Sequence, residues 1–118
     1  MEIELLYKPG CKRCMEALEW LKNRCPEFTQ RVLPEDAPDA VLLKEWYKKS
    51  RMPLRAFWNT DEVSFRSFRV FTSWRLLPED EQILVLCGDK SFLRHPVLIT
   101  ENTVYPGFSA PEWEKCLS

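Results

Sequence analysis

Two cysteines stand three residues apart in Gly10-Cys11-Lys12-Arg13-Cys14. On the first turn of a helix, positions i and i+3 share a side, so this spacing lets two sulfurs meet and close a disulfide. A helix amino terminus adds unpaired N–H groups and a partial positive charge, both of which favour a thiolate. Lys12 and Arg13 are expected to add charge beside it. Cys11 falls at or just before the helix start and is expected to be reachable. Cys14 falls on the apolar stripe and is expected to be more buried. That asymmetry suggests that Cys11 attacks and Cys14 resolves the mixed disulfide. Two other readings compete. The pair could be half of a zinc site, but a second C-x-x-C is absent and the one histidine, His95, is far off in sequence, so no metal is expected. The pair could also be inert, with Cys14 a core residue. Cys25, Cys87 and Cys116 read as buried or incidental thiols.

The elements around the pair make the redox reading stronger. Ile3 to Tyr7 is a short apolar run ended by Lys8-Pro9-Gly10, which predicts a buried strand and a loop. From Lys12 to about Arg24 the pattern is helical, with Cys14, Ala17, Leu18, Leu21 and Cys25 on one stripe, and Pro26 stops it. Phe28 to Leu33 reads as a second strand, parallel to the first through the helical crossover. Asp36-Ala37-Pro38-Asp39 is a helix start, with Leu42, Leu43, Trp46 and Tyr47 on the apolar face. Pro53 to Trp58 and Phe65 to Phe71 read as short helical turns. Leu77-Pro78-Glu79 opens another helix, carrying Ile83, Leu84 and Cys87, with Gly88 expected at C′. Pro96 to Thr100 and Thr103 to Tyr105 form a hairpin around Glu101-Asn102. Ser109 to Glu112 reads as a capping box, with Phe108 and Trp113 at the staple positions, opening a last helix. The order is β-α-β, helices, β-β-α: an α/β, thioredoxin-like fold with a helical insert at about 36–90, in one domain over 1–118.

The bulk composition sets limits. With 118 residues, 45% hydrophobic and 13% aromatic, the chain can build a core without disulfide staples. A net charge of −1 gives no global basic field for nucleic acid. No stretch is long enough for a membrane span, and the first residues lack the basic region of a signal peptide. Five cysteines with no repeated spacing fit a reducing cytoplasm rather than a secreted disulfide scaffold.

Several segments together are similar to a known family. Tyr7-Lys8-Pro9-Gly10-Cys11-Lys12-Arg13-Cys14 resembles the opening loop of the bacterial arsenate reductase (ArsC)/Spx family of thioredoxin-fold proteins. Residues 43–50 and 53–60 resemble its helical insert. Leu93 to Ile99 resembles its arginine-proline strand, and Gly107-Phe108 with Glu112-Trp113 its closing segment. The nearest likeness is to the C-x-x-C branch, whose members mostly lack an assigned substrate.

The resemblance implies that Pro96 is a cis proline facing the active-site cysteine; the residues alone favour a trans proline opening a strand. It also implies a thiol-dependent activity on a small or protein disulfide. No cofactor is expected to be bound, and glutathione, glutaredoxin or thioredoxin would donate electrons. Arsenate reductases of the family hold the oxyanion with three arginines, whose paired donors suit it. Here those positions fall on Asn59, on His95 and near Pro106, with Arg55, Arg66 and Arg94 as nearby charges. Arsenate reduction itself is therefore not expected. The Spx-like alternative is a redox-sensing regulator that binds the RNA polymerase α subunit, with no direct nucleic-acid contact, although this chain lacks a basic ending.

Overall fold

The computed structural model describes residues 2–60 and 76–117. Four strands form one sheet: β1 (Ile3–Tyr7), β2 (Thr29–Val32), β3 (Val97–Thr100) and β4 (Val104–Pro106). They lie in the order β2-β1-β3-β4. β1 and β2 run parallel, with Tyr7 opposite Val32, and helix α1 (Lys12–Arg24) makes the crossover between them. β3 runs antiparallel to β1 and pairs with β4 across a tight hairpin. Thr100 closes that hairpin, its Oγ1 accepting the N–H of Thr103 at 3.1 Å.

Between β2 and β3 come α2 (Ala40–Ser50), a 3-10 turn (Leu54–Phe57), α3 (Glu79–Gly88) and a second 3-10 turn (Lys90–Phe92). Helix α4 (Ala110–Leu117) closes the described chain. The mixed sheet with this order is the α/β thioredoxin-like architecture that the element order implies. The expected turn at Phe65 to Phe71, and Arg66 within it, lie outside the described residues.

Both faces of the sheet are covered, and the period-2 alternation of strand side chains sorts the core into two clusters. Leu6, Val97, Ile99 and Val104 face α2 and α3, packing with Leu43, Trp46, Phe57, Trp58, Ile83 and Leu86. Ile3, Leu5, Tyr7 and Leu98 face α1 and α4, packing with Cys14, Ala17, Leu21 and Trp113. Cys14 is thus a wall of the second cluster as well as a thiol.

Local signals account for most boundaries. Asp39 caps α2, its carboxylate accepting the N–H of Leu42 at 2.8 Å. Phe108 and Trp113 meet edge to face at 4.9 Å between centroids, as the staple positions imply. The Glu112 carboxylate accepts from Lys115 Nζ at 3.3 Å within the first turns of α4. Two expectations on α3 are corrected. Gly88 is the last helical residue, and the extended Asp89 ends the helix, so no left-handed C′ glycine is used. Leu84 is exposed, while Gln82 is buried and accepts the Trp58 indole N–H at 3.0 Å. A buried indole requires such a partner, and that requirement outranks apolarity in choosing the inward face.

Candidate active site

The dithiol sits where β1 gives way to α1. Tyr7 ends the strand, and Gly10 turns the loop with φ +85, a conformation that glycine adopts without a Cβ clash. Cys11 is the N-cap of α1, with extended backbone (φ −79, ψ 120). Its carbonyl accepts the N–H of Met15 at 2.9 Å, and its own N–H bonds back to the Lys8 carbonyl at 3.2 Å. Cys11 is half-buried and Cys14 is fully buried, the asymmetry that the stripe implies.

Cys14 is held as a thiol. Burial pushes it up to about 12 from the ordinary 9.0. The backbone N–H of Lys8 opposes that, lying 3.5 Å from the Cys14 sulfur, while the neighbouring Cys11 raises it further. Lys8 was not legible as a site residue in the sequence. It lies three residues before Cys11 and contributes its backbone more than its charge. Lys12 and Arg13, expected beside the sulfurs, are exposed on the first turn of α1.

The other side of the site comes from the approach to β3. The His95–Pro96 peptide bond is cis, as the resemblance implied and the residues alone did not; Leu33–Pro34 is a second cis bond. The Pro96 carbonyl accepts the N–H of Gly107 at 2.7 Å. Gly107 has φ +84, and a Cβ there would meet Arg94 Cδ at 3.3 Å. The half-buried Arg94 therefore lies along the β4–α4 turn, whose left-handed backbone at Gly107 favours glycine. The 3-10 turn braces the same approach: Arg94 N–H donates to Phe57 O at 2.8 Å and Asn59 N–H to Phe92 O at 2.6 Å. Arg55 is exposed on that turn, and Asn59 is half-buried just after it.

The fold brings His95 to the dithiol. A ring nitrogen of His95 and the sulfurs of Cys11 and Cys14 all lie within 4.8 Å of one another. The His95 Nδ1 is also 3.0 Å from the Leu93 carbonyl, which fixes the plane of the ring. The sequence distance that spoke against a zinc site shared by His95 and the cysteines is closed by the β1–β3 pairing, which sets Leu6 opposite Val97. Next to His95 is a recess of about 200 Å³ lined by Lys8, Leu33, Pro34, Lys90, Ser91 and His95. The sequence carried no signal for this recess, because its walls come from four separate segments.

A C-x-x-C at a helix start, beside a cis proline on the adjoining strand, defines a thioredoxin-fold protein with a candidate dithiol site. Comparison with known proteins narrows this class. No family model matches the chain. An ArsC family related protein from Bacteroides fragilis has 32% identity and a TM-score of 0.89, with 98% of each chain covered. An arsenate reductase from Vibrio cholerae has the same fold at 19% identity and TM-score 0.74, over 91% of this chain and 90% of its own. Among curated proteins, the uncharacterized protein YusI of Bacillus subtilis (strain 168) is 27% identical over 98% of both chains. The chain belongs to the ArsC-like family of thioredoxin-fold proteins.

Proposed function

We propose that the protein is a thiol–disulfide oxidoreductase acting on a small or protein disulfide. The observation that carries this reading is the unequal exposure of the two sulfurs at the start of α1, Cys11 half-buried and Cys14 buried beneath it. The Cys11 thiolate attacks one sulfur of the substrate disulfide, forming a mixed disulfide and releasing the first substrate thiolate. Cys14, losing its proton as it attacks Cys11 Sγ, forms the Cys11–Cys14 disulfide and releases the second. Two electrons have then passed from the dithiol to the substrate. An external thiol donor (glutathione, glutaredoxin or thioredoxin) returns them. The recess by Lys8, Lys90 and His95 supplies a docking place next to the attack. At about 200 Å³ it is smaller than a drug-sized pocket, so it suits one side chain or part of a small disulfide.

The test is turnover of insulin or a mixed glutathione disulfide by purified protein. We expect activity that vanishes in Cys11→Ser. No turnover by the wild type, or unchanged turnover in Cys11→Ser, overturns the reading. A regulator that uses the same disulfide as a switch is separated by a pull-down with the RNA polymerase α subunit, which would retain the chain in one redox state only.

A further inference from the structure

We propose that the reduced protein binds one zinc ion through Cys11, Cys14 and His95, with the fourth coordination position open. The ligand types are those of a Cys₂His zinc site, and zinc sites with three protein ligands keep a position for water or an incoming ligand. Two thiolates and an imidazole favour zinc over the oxygen-seeking magnesium or calcium. The three donor atoms already lie within 4.8 Å of one another. Zn–S of about 2.3 Å and Zn–N of about 2.0–2.1 Å require donors roughly 3.4–3.8 Å apart, so no pair has to close by more than about 1.0–1.4 Å. Cys14 is fixed in the core, whereas Cys11 is half-buried at the helix cap and can make that movement. With Nε2 as the ligand, the contact from His95 Nδ1 to the Leu93 carbonyl at 3.0 Å would be the outer contact that orients a metal-binding imidazole.

The step balances without an oxidant. Two thiols lose two protons to solvent, two Zn–S bonds form, and nothing is oxidised or reduced. The disulfide form has lost both sulfur ligands, so zinc and the Cys11–Cys14 bond exclude each other. A bound ion would keep the dithiol reduced and hold it out of turnover.

The proposal does not depend on the oxidoreductase reading, and its test needs no substrate. Fully reduced protein is titrated anaerobically with zinc against a chromophoric chelator, and with cobalt to read thiolate-to-metal absorption. The same titrations are run on the disulfide form, on His95→Ala, and on a chain with Cys25→Ser, Cys87→Ser and Cys116→Ser. We expect one ion per reduced chain, no binding by the disulfide form, and retention in the triple-serine chain. We expect at least about a tenfold weaker site in His95→Ala, the scale of even an outer contact to a metal ligand. Equal affinity and an unchanged cobalt spectrum in His95→Ala overturn the site, as does equal binding by the oxidised protein. Catalytic turnover without zinc binding would refute this proposal and leave the oxidoreductase reading standing.

Discussion

Among single residues, the two sulfurs of the dithiol differ because the chain treats them differently. Cys11 caps a helix, while Cys14 is packed among Ile3, Leu5, Ala17 and Leu21. Burial also pushes the thiols of Cys87 and Cys116 up, with Asp39 adding to the first and Glu112 to the second. Limited alkylation near neutral pH, read by peptide mass, is therefore expected to label Cys11 well before Cys14, Cys87 or Cys116. The Cys14 shift also has a consequence for stability. The folded chain keeps this proton up to about 12 and the unfolded chain releases it near 9.0. Between those values the unfolded state binds fewer protons, so stability falls as pH rises. The thermal midpoint of reduced, chelator-treated protein is expected to drop more steeply across this range than that of the disulfide form, which has no proton at Cys14. Equal slopes would count against the burial argument.

The elements that hold the site depend on a few end positions. Asp39 gives α2 its cap, so Asp39→Ala is expected to cost about 0.5–2 kcal/mol in urea unfolding. Gly107 does more for the site. Its N–H holds the Pro96 carbonyl, its φ is +84, and the Arg94 side chain packs 3.3 Å from where a Cβ would be. Gly107→Ala meets a backbone penalty of about 1–2 kcal/mol, and its Cβ forms a tight contact that Arg94 must give way to. We expect lower stability together with lower disulfide turnover, because the same turn positions His95 and Pro96. Loss of stability with turnover per folded molecule intact would separate the turn from the site.

Among the described residues, the sheet divides two apolar clusters, and Cys14 belongs to the one on the side of α1 and α4. Trp113 anchors that cluster from α4: it is fully buried, stacks edge to face on Trp20 and Phe108, and donates its indole N–H to the Gly107 carbonyl at 2.9 Å. Trp113→Ala is expected to cost about 3–5 kcal/mol in equilibrium unfolding. A surface pair such as Arg24 with Glu114 contributes far less, since both side chains are exposed. The family membership carries one more expectation. On the resemblance, two of the arginine positions that hold arsenate fall on Asn59 and His95, so no arsenate-dependent NADPH oxidation is expected with a glutaredoxin or thioredoxin system. Arsenate turnover at a measurable rate would refute that.

The sequence by itself determined the dithiol, its strand–loop–helix setting, the region where α2 starts, and the closing hairpin and helix. Each depends on residues close together in the chain, where spacing, apolar period and turn chemistry act locally. It also indicated which cysteine is buried, because Cys14 shares a stripe with Ala17 and Leu21. Only the tertiary structure decided that a His95 ring nitrogen comes within 4.8 Å of both sulfurs, that the Lys8 backbone reaches Cys14, and that Gln82 rather than Leu84 turns inward. Those facts depend on the β1–β3 pairing and on the partner of a buried indole. Such contacts link residues far apart in sequence, and no local pattern encodes them.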